Sequence, residues 1–538
     1  MLYKFSKINV FKIMPTTQVL IIGAGPTGLV LGMELAAANV HFRIVEKATE
    51  RSDKSRALAL QARTTELMER YNIADELYKR GTQVEAIDIY LNKNKPFSID
   101  GASFAATSDC NRPFPTLLSQ QVTESILEEK LKQFNKSVEY GVLVKSLSQD
   151  QQQCTTVLQH PDGTIETILS DYIAGCDGCH SIVRHSCPTM KFEGDAYEKT
   201  FALMDCNIEW ENDISRRISI MSGYGTVGVF PMGGDKYRIF MPSEEIGDVS
   251  KEEFDKALQK VCPLNANIKE VFWSTRYKLH HRLSSTYQEN RFFILGDAAH
   301  IHSPAGGQGM NTGIQDATNL GWKLAHVLHN RADSTYLESY NNERRQIGQN
   351  ILNYTDRMFG LVTSDSYVQL MVKNYIVPWI APFVINSDAV QKRGFGFGSQ
   401  LRIRYSKSDI VDKECGNGGL RAPDGDVIHC INGTKKRLYQ MFTPGKFILL
   451  IFENGSIPEI KVPDWMIYYQ VIKESDDFKS NNIAILNDPF GKVSKLYGDN
   501  RVVYIRPDAY IATSALSTFE KLNTFIERDC KEKLNLVI

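Results

Sequence analysis

No stretch of this chain stays apolar for the ~18 residues that a membrane-crossing helix needs. The nearest run, Tyr375 to Ile385, is interrupted by Pro378 and Pro382. Neither sign of charge is in excess. Lys plus Arg is 62 and Asp plus Glu is 63, so nothing in the balance calls for nucleic acid or an anionic membrane as partner. The ten cysteines form no secreted-type framework and read as thiols of a reducing, cytoplasmic compartment. One Cys-x-x-Cys occurs, at Cys176 and Cys179. Its spacer is Asp-Gly and no second pair stands at zinc-ligand spacing, so no metal is expected. Lys4, Lys7 and Lys12 break every apolar run at the start, which excludes a signal peptide. Residues 1–16 read as a disordered leader, unless translation begins at Met14. A second Gly-x-Gly-x-x-Gly is also missing. Gly394-Phe-Gly396-Phe-Gly398 and Gly416-Asn-Gly418-Gly419 lack the third glycine at the right step, which argues against paired dinucleotide folds.

One such fingerprint is present in its required context. The apolar strand Gln18 to Ile22 runs into Gly23-Ala-Gly25-Pro-Thr-Gly28, a helix continues to about Asn39, and a second strand, His41 to Val45, ends at Glu46. Gly23 permits the tight turn, Gly25 lets backbone approach a pyrophosphate, and Gly28 lets helix pack on strand. Glu46 stands where an acid holds a ribose hydroxyl pair, which favours FAD or NAD over NADP.

The richest stretch lies near the middle, Arg291 to Asp316. Phe292 to Leu295 reads as a buried strand ending at Gly296-Asp297, where open α/β sheets bind ligands. A glycine loop, Gly306, Gly307 and Gly309, follows and opens a helix carrying Ile314, Ala317, Gly321, Leu324 and Leu328 at helical spacing. Strand, acid, glycine loop and helix N-terminus together suit a polyhydroxylated anionic cofactor. Elsewhere, Arg56 and Arg63 are as consistent with phosphate contacts as with solvated surface. Ser119-Gln120-Gln121 opens a helix, where simple capping competes with a ligand role. Thr155–Leu158 and Thr164–Leu169 read as a hairpin. Tyr172 to Cys176 reads as a strand leading to Asp177-Gly178 and a helix that carries Arg184. Strands at 216–221, 227–230 and 236–241 suggest an antiparallel sheet walling a substrate pocket. Residues 331 to 400 look helical. Beyond about 405, Phe447–Phe452, Ile483–Leu486 and Arg501–Ile505 read as strands of a small α/β unit, with a closing helix from Ala515 to Arg528. Within 186–280 and 375–385 a roomy pocket competes with core or dimer contact, and the apolar 375–385 run favours the latter.

These motifs together resemble the single-component FAD-dependent aromatic hydroxylases, the class A flavoprotein monooxygenases, and within them the phenol-hydroxylase-like group. The resemblance spans nearly the whole chain. It implies that Gly23, Gly25, Gly28 and Glu46 hold the ADP part of FAD. It associates Asp177, Gly178 and Arg184 with FAD and NAD(P)H, and it puts the ribityl chain on Asp297 of Gly296-Asp297-Ala-Ala-His300. Arg56 and Gln120 match family positions at the flavin. Pro304, Gly306, Gly307, Gly309, Met310 and Asn311 match the segment beside the isoalloxazine. Cys176 and Cys179 depart from the small residues usual there. Leu420-Arg-Ala-Pro-Asp424 and Tyr504-Ile-Arg-Pro-Asp508 resemble an appended thioredoxin-like domain, here without redox cysteines.

The resemblance therefore implies an α/β protein in five parts: the leader 1–16, a Rossmann-type FAD-binding domain in two parts (17–185 and 281–405, the latter with a helical segment), an inserted antiparallel-sheet substrate domain (186–280), and a thioredoxin-like domain (413–538). It implies hydride transfer from transient NAD(P)H to FAD, dioxygen as second substrate, and oxygen transfer from a flavin C4a-hydroperoxide to an aromatic small molecule. The catalytic base stays open, since His300 and His302 suit a structural role equally well. Epoxidation, Baeyer–Villiger chemistry, or binding of a reactive intermediate with little turnover are the alternatives.

Overall fold

The apolar run before the first glycine motif becomes the centre of a sheet. In the computed structural model, β1 (Thr16–Ile22) leads through the turn into α1 (Pro26–Ala37) and back to β2 (Phe42–Glu46), which lies parallel to β1. The structure describes residues 16–51, 57–101, 109–223, 225–243, 247–303, 306–363, 396, 398–431, 433–453, 462–473 and 485–516. Residues 1–15, Arg56, Pro304, the Tyr375–Ile385 run and residues 517–528 lie outside them. Next comes the short helix α2 (Ala62–Glu69), and then β3 (Ile165–Gly175) on the other side of β1.

β3 departs from the expected hairpin plus separate strand. It is one continuous strand that changes partners. Its first half pairs antiparallel with Cys154–Gln159, and its second half runs parallel to β1 and to the strand Phe292–Ile294. The register aligns Ile22 with Val45, Ile22 with Gly175, and Gly175 with Ile294. Four strands thus end level, and the motif-bearing loops emerge side by side at one sheet edge.

A second sheet of eight strands is built on two long ones, β4 (Phe192–Trp210) and β5 (Ala266–Ser284), paired antiparallel. Strands 217–222, 226–231 and 236–243 join it as expected. It also takes Ala86–Leu91 and Phe97–Asp100 from earlier in the chain and His300–Ile301 from beyond. The long pair was not legible as such, because register shifts near Ala196–Thr200 and Asp205–Ile208 interrupt the alternation that marks a strand.

Two helices follow, α3 (Gly309–Leu328) and α4 (Glu338–Thr363). The C-terminal unit is a mixed seven-stranded sheet with Phe447–Phe452 near its middle. It does not sit apart. Val427, Tyr439, Leu450 and Ile505 belong to the same buried apolar cluster as Leu20, Leu31 and Ile294 of the first sheet.

Candidate functional site

At the shared sheet edge the glycines divide by what surrounds them. Gly23 has φ +103°, and a Cβ there would sit 2.3 Å from the Cys176 carbonyl oxygen. A Cβ on Gly28 would sit 2.0 Å from the Gly23 oxygen. These two are demanded by packing. Gly25 and Gly178 are different: nothing lies within 4 Å of where their Cβ would be. They line open space in front of α1, whose N-terminus carries no acidic residue in its first turn. A helix terminus of this kind favours an anion. Glu46 is fixed beside it, accepting from the Ala24 and Ala48 amides, both at 2.9 Å.

The Gly296-Asp297 turn contributes the next wall. Gly296 takes φ +57°. Leu295, Ala298, Ala299 and His300 are buried around it, while Asp297 is exposed. One carboxylate from α3 pins the turn. Asp316 accepts from the Gly296 amide (3.1 Å), pairs with His300 Nε2 (2.8 Å), and accepts from Arg344 Nε of α4 (2.6 Å). Burial would raise the Asp316 carboxyl, but Arg344 first and then His300 outweigh it and hold it below the usual range. His300 is therefore a brace with its Nε2 engaged. Arg184 braces too, donating to the Ala298 carbonyl and the Cys179 carbonyl, both at 2.7 Å, over the face of Phe192. Asp177 accepts from the Ile182 amide at 2.7 Å, and burial pushes its carboxyl up. Cys176 and Cys179 are free thiols, and the Cys176 Cβ lies 3.4 Å from where a Gly28 Cβ would be.

The glycine loop is shaped by Gln61, which the sequence did not single out, and by Asn311, which it did. Gly306 and Gly307 have φ +80° and +62°. Gln61 Nε2 donates to the Gly306 carbonyl at 2.7 Å. Asn311, wholly buried, accepts from the Gln61 amide (2.8 Å) and donates to the Ala59 and Gly307 carbonyls (2.8 and 2.7 Å). Its amide group is spent on the loop. The half-buried Gly309 and Met310 begin α3, whose first turn has no acidic residue. The start of α3 lies against the start of α1: Thr27 Oγ1 stands 2.8 and 2.3 Å from where a Cβ on Gly296 or Gly313 would be.

His302 lies beside this loop. Its Nδ1 is 2.9 Å from the Ser303 carbonyl, which sets Nδ1 as the protonated nitrogen and leaves the buried Nε2 an acceptor with no partner among the described residues. Burial first, and then His300, lower its pKa to about 4, so it is neutral at working pH. Ser119 caps its helix through the Val122 amide. Gln120 is tied to the Ala57 amide (3.3 Å) and to Glu124 (2.9 Å). Arg63 requires a correction. It is fully buried against Glu66, Tyr439 and the Asp508 carbonyl, far from any phosphate role, because α2 turns that face to the C-terminal unit.

Residues 16–355 match the family described as FAD binding domain. The chain is also 31% identical over 530 residues to the pentachlorophenol 4-monooxygenase of Sphingobium chlorophenolicum, spanning 92% of this chain and 93% of that one. This chain belongs to the FAD-dependent aromatic monooxygenases. An uncharacterized aromatic compound monooxygenase of Bacillus subtilis (strain 168) is 29% identical over 483 residues, spanning 89% and 93% of the two chains. The enzyme shares its fold with the OxyS anhydrotetracycline hydroxylase from Streptomyces rimosus, at a TM-score of 0.74, 24% identity, and coverage of 96% and 100%. FAD is its cofactor. The open space at Gly25 and Gly178, the fixed Glu46 and the exposed Asp297 fit that group on the geometry alone. No helix among the described residues is long and apolar enough to cross a membrane.

Proposed function

We propose that this monooxygenase hydroxylates a phenolic or polycyclic aromatic small molecule, using NAD(P)H and dioxygen through a flavin C4a-hydroperoxide. The observation that carries the reading is the level sheet edge. It brings an open glycine cradle, a fixed Glu46, an exposed Asp297 and two helix N-termini together. The relatives named for pentachlorophenol and anhydrotetracycline support an electron-rich ring as substrate.

Within this reading Glu46 takes the adenosine ribose, and the Gly23–Gly28 turn with the start of α1 takes the pyrophosphate. Asp297 takes the ribityl hydroxyls, with Asp177-Gly178 alongside. The Gly309 and Met310 amides face the pyrimidine edge, where a helix N-terminus favours the negative charge of reduced flavin. Arg56, Gln120 and Pro304 are assigned to the flavin on the resemblance alone. Neutral His302 offers Nε2 as an acceptor, suited to orienting a hydroxyl. The second sheet walls the ring's pocket and keeps out water that would release peroxide. The C-terminal unit is thioredoxin-like in this reading. Its parallel strands 447–452, 466–472 and 485–487, flanked by antiparallel 501–505 and 511–516, support that. A cytoplasmic location accords with the free thiols of the described residues, and a homodimer completes the proposal.

Because one Rossmann fingerprint is present, NAD(P)H reaches the flavin transiently, and an aromatic substrate is expected to gate reduction. Anaerobic stopped-flow reduction with a panel of phenols tests this. Substrate should raise the rate strongly, and labelled dioxygen should place one labelled oxygen in the product. Equal rates defeat the gating, and an unlabelled product defeats the hydroxylation.

A further inference from the structure

The two Arg-Asp motifs of the C-terminal unit, within 420–424 and 504–508, lie outside the flavin site. Their arginines nonetheless reach it through two chains of buried charge.

In the first, Arg506 forks onto Glu343 of α4 (2.6 and 2.9 Å) and onto Asp508 (2.6 Å). Glu343 also accepts from Asn319 and Lys323 of α3, both at 2.7 Å. Its neighbour Arg344 holds Asp316 (2.6 Å) and the Thr312 carbonyl (3.2 Å), close behind the glycine loop. In the second, Arg421 donates to Glu66 of α2 (2.7 Å) and pairs with Asp109. Glu66 also accepts from Arg63 (2.7 Å), which in turn reaches the Asp508 carbonyl (2.9 Å). α2 starts one residue after Gln61, the residue whose amide and side chain hold Asn311 and Gly306.

The helices α2 and α3 therefore meet the Gly306–Gly309 loop from two sides, and each is gripped from the same unit. Arg63, Glu66, Asn319, Lys323, Glu343, Arg344, Arg506 and Asp508 are at most 3% exposed. Groups so buried are tolerated only while their partners stay in place, and forked arginine–carboxylate pairs fix direction as well as distance. Apolar packing alone would let the helices shift.

We propose that the C-terminal unit is a clamp that sets the geometry of the glycine loop, with Arg506 and Arg421 as positioning residues for the flavin. The effect on flavin rests on the reading that this loop borders it. The test uses the full-length holoenzyme with Arg506→Lys and Arg421→Lys, which keep the charge and lose the fork. Val471→Ala is the control: it removes buried volume from the same unit and leaves both chains of charge intact. The two lysine variants should raise the FAD Kd about 3- to 30-fold and speed amide hydrogen exchange across residues 306–316. Val471→Ala should lower Tm without either change. Faster exchange with an unchanged FAD Kd supports the clamp and removes the flavin from the loop. Wild-type exchange at 306–316 in both lysine variants overturns the clamp.

Discussion

Two aspartates of the central stretch have opposite duties. Asp297 is exposed in an otherwise buried turn, whereas Asp316 is wholly buried under three donors. Asp297→Ala should therefore leave the scaffold intact and remove the flavin. The purified variant is expected to be colourless with an unchanged far-UV spectrum, and full flavin stoichiometry would refute the ribityl assignment. Asp316→Asn halves the acceptor capacity and leaves the Arg344 charge without its partner, which should cost about 3–5 kcal/mol in urea unfolding. A loss under about 1 kcal/mol would show that the network is not needed for stability. Cys176 and Cys179 pack at a turn as free thiols. Replacing both with Ala should keep flavin content and activity close to wild type. Loss of a bound metal on substitution would restore the zinc reading.

At the scale of elements, α1 and α3 approach each other through glycine. A Cβ on Gly321 would meet the Glu34 Cβ at 2.5 Å, and one on Gly313 would meet Thr27 Oγ1 at 2.3 Å and the Gly296 Cα at 3.1 Å. Overpacking of this kind costs about 1–3 kcal/mol. Gly321→Ala should lower Tm and leave flavin affinity alone. Gly313→Ala should weaken FAD as well, since it pushes on the turn that presents Asp297. Equal FAD Kd values for the two variants would count against that placement. α3 also carries His326 among the rings of Trp322, Tyr336, Phe447 and Trp465. Burial drops its pKa to about 3, and that of His302 to about 4. Both are neutral when folded and take up a proton more readily when unfolded. Their contribution is full above about pH 6.5 and falls away as pH drops towards 4, by up to about 3 kcal/mol each. Asp424, pushed up to about 6 by burial, works the other way and loses stability as pH rises through 6. The two histidines outweigh it. Tm should fall from pH 6.5 downwards, with a shallower fall in His326→Gln. A Tm that is flat from pH 7 to 4.5 would contradict the buried neutral state.

For the whole molecule, the boundary near residue 405 divides sequence but not core. The buried apolar cluster crosses it, and so do the pairs Arg506–Glu343 and Arg421–Glu66. A chain cut at 404 would strip partners from Arg63, Glu66, Asn319 and Glu343 and expose apolar surface. It should be insoluble or bind no FAD. A soluble, yellow fragment would show that the two parts fold independently.

The strand–glycine–helix units were legible because their information is local. Gly23 and Gly296 take positive φ in their own turns, a Cβ on Gly28 would strike the Gly23 oxygen, and the apolar runs of β1 and Phe292–Ile294 name themselves. Glu46 and Asp297 follow from standing at strand ends. The antiparallel wall showed only where alternation was clean, and β4 and β5, bulged along their length, did not read as one pair. The partners of buried charge were invisible in the sequence. An arginine on a helix reads as surface, and nothing near Arg63 says that it will meet a carbonyl 445 residues away. Periodicity states which face is buried, never what it is buried against. The sequence by itself thus determined the nucleotide fold and the glycine loops at its sheet edge. Tertiary structure alone decided that Asp316, Arg344 and Arg506 hold those loops, because a charge survives burial only where a distant partner is brought within hydrogen-bond reach.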